Sequence, residues 1–416
     1  MKKQRDKACG ADIHKRFLMA CILSRDGSKL IDRFDMTVEG ILSFESWLRT
    51  NNCMKVAVES TGNYWHLVHQ VLEDDFEFIL GNAYLTRRHA GAKTDKLDSE
   101  WLAELCLNNQ IKPSIILPAK DRELRALTRA RKGYMDSRTK LKSRTIQELE
   151  ACTIKLASEI SDVFGKSGRH ILQGLIDGKS IDDIIQTIPS KRVKKNKEMI
   201  KQAIQAGLSP VSVFLIRSHL QLIDEIDKKI AQIDIETRRL IKARKSDLEI
   251  AMSMPGIGFV SAVAILSEIG DYMNFENGKK LAAFCGIDPS VYESAGKKFT
   301  GPITKRGSKY LRRMIIECAH ALSKTKAKTH LKRFFLRVMA RRGKNVAIVA
   351  LARKMLIVLH HLLVNQEIYK DNGLAKSKEV KVRFSEESNY PSLEEMIEVL
   401  LGAGYLVKKD SQGGGN

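Results

Sequence analysis

Between Val211 and Arg244 the chain carries a hydrophobic seam that leaves it few ways to fold. Ile216, His219, Ile223, Ile226, Ile230, Ile233, Thr237 and Leu240 fall alternately three and four residues apart, and the positions between are largely Lys, Arg, Asp, Glu and Gln. That period belongs to a long helix, and a long helix with one apolar stripe must lay it against a partner. A partner is at hand. From Asp121 to about Leu156 there is no proline, one glycine and charge throughout, which predicts a second long, exposed helix. The two read as a coiled-coil hairpin or a dimer stalk, with His219 a packed or partly exposed seam residue rather than a ligand. Between them, residues 161–209 are punctuated by Gly165, Gly168, Gly174, Gly178, Pro189 and Gly207 and read as a small helical insertion. Its basic run, Lys191-Arg192-Val193-Lys194-Lys195-Asn196-Lys197, is a solvated loop or a phosphate contact.

The residues before the seam follow a different rhythm. Lys7–Ile13, Arg16–Leu23 and Lys29–Phe34 are short apolar runs split by His14-Lys15 and by a break with the Asp-Gly chemistry of a hairpin turn. Thr37 is placed to cap a helix from Val38 to about Asn51. Lys55–Glu59 has the pattern of a buried strand, Tyr64–Glu73 of a helix and Phe76–Leu80 of a strand. Thr94 caps a helix to about Asn109, with Leu97, Trp101 and Leu105 four apart. A hairpin followed by βαβ units predicts an α/β domain on a mixed sheet. Beyond the seam, residues 251–365 read as a Gly-punctuated helical domain. A charged tail follows, with a short helix at Leu393–Leu400. The expected boundaries are 1–118, 119–248, 249–370 and 371–416. No internal repeat is visible.

Composition narrows the class. The chain has 8 prolines and 6% aromatic residues, against 43% hydrophobic residues, which points away from an all-β fold and away from global disorder. No uninterrupted apolar run of about 18 residues appears, so no membrane span is expected. The N-terminus lacks the apolar stretch of a secretory signal. The 7 cysteines are scattered without CxxC spacing, which excludes a CxxC zinc or redox motif and fits a reducing cytosol. The net charge of +22 is unevenly held. Residues 1–120 have 17 Lys+Arg against 16 Asp+Glu, residues 121–250 have 27 against 18, residues 251–373 have 21 against 8, and residues 374–416 have 6 against 7. A neutral first domain followed by a strongly basic remainder points to a polyanionic partner, most simply nucleic acid. A merely soluble basic protein would show the same excess.

Three constellations could carry chemistry. Asp12 lies at the end of the first strand, Glu59 at the end of the strand Val56-Ala57-Val58-Glu59, and Asp95 and Asp98 share one face at the start of a helix. Carboxylates at strand C-terminal ends sit where α/β sheets place ligands. Four oxygen donors brought together suit Mg²⁺ or Mn²⁺. Two such ions about 4 Å apart clamp the attacking and leaving oxygens of a phosphodiester. Alone, each of these residues is as well explained as a turn former or a helix N-terminal charge. The second constellation, Ser253-Met254-Pro255-Gly256-Ile257-Gly258-Phe259, leads into the apolar run Ala262–Leu266. It has the pattern of a helix-hairpin-helix, in which Gly256 and Gly258 let backbone approach a phosphate. An ordinary tight turn between helices would look similar. The third gathers Ser290, Tyr292, Ser294, Lys297, Lys298, Lys305, Arg306, Arg312 and Arg313 in loop-like sequence. Cations there could hold a scissile phosphate while a hydroxyl attacks, or could bind nucleic-acid backbone without catalysis.

Together these segments resemble the DEDD-type transposases of bacterial and archaeal insertion sequences. The resemblance is carried by Asp12, by Val56–Glu59 with Ser60-Thr61-Gly62-Asn63-Tyr64, and by Gly91-Ala92-Lys93-Thr94-Asp95-Lys96-Leu97-Asp98 with Ser99–Ala103. It is carried also by the Pro255–Gly258 turn, by Leu281–Pro289 and by Thr304-Lys305-Arg306-Gly307. It implies a RuvC-like (ribonuclease-H-like) N-terminal domain whose Asp12, Glu59, Asp95 and Asp98 hold the metal. It also implies a coiled coil and a helical C-terminal transposase domain with a nucleophilic serine. Ser294 matches that serine best, with Tyr292 and Ser290 as neighbours. The implied activity is DNA cleavage and rejoining through a phosphoserine, guided by a bridge RNA, in a dimer or tetramer at the cytoplasmic nucleoid. A metal-dependent junction resolvase without a covalent intermediate, or a nucleic-acid-binding protein without catalysis, remain as alternatives.

Overall fold

The structure is a computed structural model that describes residues 6–60, 62–82, 86, 94–294, 296–326 and 328–371. It divides into two compact units between Leu117 and Pro118. In the first, strands β1 (Lys7–Ile13), β2 (Phe17–Ser24), β3 (Lys29–Asp35), β4 (Lys55–Glu59) and β5 (Glu77–Gly81) form one sheet in the order β3-β2-β1-β4-β5. The β1–β2–β3 meander is antiparallel, while β1–β4 and β4–β5 are parallel. This is the mixed sheet that a hairpin followed by βαβ units requires.

Strand alternation decides what each face buries. Cys9, Ala11, Val56 and Val58 share a core with Ile41, Phe44, Leu48, Val68 and Leu72 of helices α1 (Val38–Thr50) and α2 (Trp65–Leu72). Ala8 and Ala57 point the other way and pack with Leu102, Leu105 and Cys106 of α3 (Asp95–Leu107). Gly10 lies in that second set. A Cβ built on it would stand 2.2 Å from the Ala103 nitrogen and 2.3 Å from the Ser99 carbonyl oxygen. Only a glycine lets α3 lie this close on β1.

The second unit begins with α4 (Ala119–Ala151), which pairs with α10 (Pro210–Ile241). The pair is antiparallel. Arg131 meets Asp234 at 2.7 and 3.2 Å, Arg138 meets Asp227 at 2.5 Å, and Thr145 Oγ1 lies 3.5 Å from His219 Nδ1. The expected seam is the packed face: Ile216, Ile223, Ile230 and Thr237 are buried, with the intervening seam positions half-buried. Between the two helices lie α5 (Leu156–Glu159), α6 (Lys166–Ile176), α7 (Ile181–Gln186), α8 (Lys191–Lys194) and α9 (Lys197–Ala203). Their Ile171, Leu172, Ile184 and Ile200 build one core with Leu149, Ile216 and Ile223 from the ends of the long helices. The basic run opens as a helix rather than a loop, because the Ser190 side chain accepts from Val193 N and caps it.

The remainder is helical apart from one hairpin. It comprises α11 (Lys245–Ser253), α12 (Phe259–Ile269), α13 (Gly278–Cys285), β6 (Pro289–Ser294), β7 (Lys297–Ile303), α14 (Lys309–Lys324), α15 (His330–Arg342) and α16 (Lys344–Asn365). The antiparallel β6–β7 pair stands where the sequence reads as loop. Val291, Tyr292, Phe299 and Thr300 favour strand, and the Ser, Gly and Lys residues among them mask that preference. Arg125 and Arg129 on α4 reach the buried Glu268 on α12, which also accepts from Ser308 at the start of α14. By length and composition α16 could cross a membrane, but 56% of its most apolar stretch is buried in the fold, as in a core helix. From residue 372 onward, the tail and its expected helix at Leu393–Leu400 lie outside the described residues.

Candidate metal centre and nucleic-acid surface

Alternation places Asp12 two residues beyond Gly10, on the α3 face of β1. The parallel register sets Ala11 opposite Val58, so Asp12 and Glu59 end neighbouring strands on that face. Thr94 begins α3 by accepting from Leu97 N at 3.3 Å, a cap worth about 1 kcal/mol. Asp95 and Asp98 occupy its first turn, where the helix dipole favours negative charge. The close packing at Gly10 thus carries the helix start to the strand end.

His14 joins the two elements. Its Nε2 lies 3.1 Å from Asp12 Oδ2 and 3.2 Å from Asp95 Oδ1, and the three ligand atoms all lie within 4.8 Å of one another. The ring is held by the β1–β2 turn. His14 N donates to the Phe17 carbonyl at 2.8 Å, and the rings stack with centroids 4.8 Å apart. Arg33 covers Phe17 at 4.1 Å. Burial pushes the Asp12 carboxyl above its ordinary range. His14 pulls it back, and Asp95 and Asp98 add to the rise. Carboxylates crowded at one point repel, and a cation relieves them. Oxygen donors with one imidazole nitrogen fit a divalent ion of the Mg²⁺ or Mn²⁺ kind, the nitrogen favouring the transition metal. Sequence reasoning passed over His14 because it stands in a two-residue break between strands.

The other expected residues lie in the second unit. Gly256, with φ +87°, packs so that a Cβ would stand 2.7 Å from the Cys318 carbonyl oxygen. Gly258 caps α12, and its N–H donates to Ser261 Oγ at 2.9 Å. Ser294 ends β6 opposite Lys297, and Glu293 stands opposite Lys298. Ser290 Oγ donates to the Pro302 carbonyl at 3.0 Å. Lys305 and Arg306 are exposed on a loop folded tightly onto the end of α13. There Lys305 adopts φ +54° and donates its N–H to the Gly286 carbonyl at 3.0 Å. Arg312 holds this loop, donating to the Cys285 and Lys305 carbonyls at 3.2 and 3.1 Å. Arg313 pairs with Glu317 at 2.7 Å. Lys305 is thus presented outward, while Arg312 and Arg313 are engaged within the chain.

Residues 9–154 match the DEDD family model of the IS110 group, described as a transposase. Residues 248–335 match the model described as the transposase IS116/IS110/IS902 family. The transposase for insertion sequence element IS1111A of Coxiella burnetii is 24% identical over 366 residues, covering 88% of this chain and 91% of that protein. A probable family 20 transposase of Pseudomonas aeruginosa is 24% identical over 285 residues, covering 67% and 75%. A pilin gene-inverting protein of Moraxella bovis is 21% identical over 373 residues, covering 85% and 94%. The chain belongs to the DEDD-type insertion-sequence transposases. It is accordingly a DNA-binding enzyme of the transposase and recombinase class, and its first domain is of a kind that uses divalent metal.

Proposed function

We propose that this enzyme cleaves and rejoins DNA at the ends and target of an insertion sequence through a phosphoserine intermediate formed on Ser294. The observation that carries the metal half of this reading is the meeting of Asp12, His14 and Asp95 at the strand end. Asp12, Glu59, Asp95 and Asp98, with the His14 nitrogen beside them, would hold Mg²⁺ or Mn²⁺, whose charge when bound offsets that of a phosphate. Ser294 Oγ attacks the phosphorus, a P–O ester to the serine forms, and the bond to the 3′ oxygen breaks. The serine gives up its proton, and the leaving oxygen takes one up as a 3′ hydroxyl. Rejoining reverses these steps with a different 3′ hydroxyl. Lys297, Lys298, Lys305 and Arg306 steady the phosphate, and the Gly256–Gly258 turn acts as a helix-hairpin-helix contact to backbone. Arg312 and Arg313 support that surface.

The rest of the proposal follows the family. The long helices α4 and α10 serve as a coiled coil for assembly into a dimer or tetramer, and a bridge RNA selects donor and target. The domain boundaries are 1–118, 119–248, 249–370 and 371–416. Denaturing electrophoresis of labelled DNA, after incubation with protein, RNA and Mg²⁺, tests the chemistry. A protein-linked band should be present in wild type, Ser290→Ala and Tyr292→Phe and absent in Ser294→Ala. A band lost only in Tyr292→Phe would move the nucleophile to Tyr292. Cleavage without an adduct in any lane would mean that the carboxylates activate water, as in a junction resolvase.

A further inference from the structure

We infer that a cleft in the second unit receives an unpaired base of single-stranded nucleic acid, with the flanking phosphate at its mouth. This rests on the nucleic-acid reading above and adds a contact that the reading does not contain. The cleft measures about 540 Å³ and lies among α4, α10, α12 and α14. Met135, Phe259, Val263 and Met314 form its apolar wall, a surface of ring, sulfur and methyl groups suited to the faces of a base. Arg131, Arg238 and Arg313 also line it. Arg131 and Arg313 are paired with carboxylates. Arg238 instead lies over the Phe259 ring, 4.3 Å from its centroid, and forms no ion pair among the described residues. A guanidinium held on an aromatic face keeps its N–H edge for an anion. At the same mouth Gly258 opens α12, and nothing stands within 4 Å of where its side chain would be. A phosphate has room there to approach the helix N-terminus.

Thr237 distinguishes the occupant. It lines the cleft on α10, is 5% exposed, and its hydroxyl has no hydrogen-bond partner. A threonine inside a helix commonly returns its hydroxyl to the carbonyl one turn back, as Thr139 and Thr145 do in α4. An apolar occupant would leave the Thr237 hydroxyl unpaired at a cost. A free phosphate would leave the apolar wall unused. A base satisfies both, with its face on the wall and a ring-edge nitrogen or oxygen on the hydroxyl.

The full chain is titrated, by fluorescence anisotropy at one salt concentration, with a labelled thymidine oligomer and with an abasic oligomer of equal length and charge. The thymidine strand should bind about tenfold more tightly, in keeping with the stacking of a single base. Thr237→Val, which keeps the side chain's shape, and Ala264→Leu, which narrows the cleft, should each weaken the thymidine strand several-fold and leave the abasic strand unchanged. Melting temperatures serve as the control for folding. Equal affinity for the two strands overturns the inference, as does a preference for bases that survives both variants, or a variant effect shared equally by both strands. Binding of neither strand overturns the nucleic-acid reading as well.

Discussion

Asp12 holds a charge that its surroundings resist. Burial and the two neighbouring aspartates favour its protonated form, and only His14 opposes them. Asp12→Asn should therefore bring strand cleavage to background while the protein melts at the same or a higher temperature. The stability change should stay within about 0.5 kcal/mol or be favourable; calorimetry beside a cleavage assay checks both. His14→Ala separates a ligand from a mere hydrogen-bond partner. Mn²⁺ affinity, followed by electron paramagnetic resonance, should fall about tenfold or more if the imidazole binds or orients the ion. Unchanged affinity would leave His14 as a brace between carboxylates. The placement of Asp12 and Glu59 at strand ends and of Asp95 and Asp98 at a helix start is legible from sequence, because those are local patterns. His14 is not, because what fixes its ring is Phe17, three residues on and across a turn.

At the scale of elements, the contact between β1 and α3 governs the metal centre. Gly10→Ala would drive a methyl into the backbone of Ala103 and Ser99. The expected cost is about 1–3 kcal/mol, with weakened metal binding because Asp95 and Asp98 retreat from Asp12. Gly133, on α4, has nothing within 4 Å of its Cβ position. Gly133→Ala should instead stabilise by roughly 0.5–1 kcal/mol. Urea unfolding of the two variants, with a Mn²⁺ titration, checks the contrast. The strands and helices of the first unit follow from alternation and from Thr37 and Thr94 as caps. The packing at Gly10 was hidden because a glycine within a strand announces a close approach without naming the neighbour. The β6–β7 hairpin was hidden for a different reason. Ser290, Ser294 and Gly296 spoke for a loop, and the exposed Val291 and Phe299 offered no buried face to betray a strand.

For the whole molecule, charge is the controlling quantity. The excess lies beyond residue 120, so affinity for nucleic acid should fall steeply and linearly on a log–log plot against salt. Lys305→Asn removes one outward cation and keeps a residue that tolerates left-handed backbone. It should lower that slope by about one without altering the preference for bases over abasic sites. An unchanged slope would mean that Lys305 meets no phosphate. The antiparallel pairing of α4 and α10 has a consequence of its own. Cys152 Sγ and Ser212 Oγ lie 3.3 Å apart, so the chain enters and leaves the intervening helical segment at one place. Lengthening a loop whose ends already meet costs little entropy, about 0.6 kcal/mol for each doubling. Insertions at that tip leave the far end of the pair in register, which makes it the point where this fold can gain whole pieces without disturbing its chemistry.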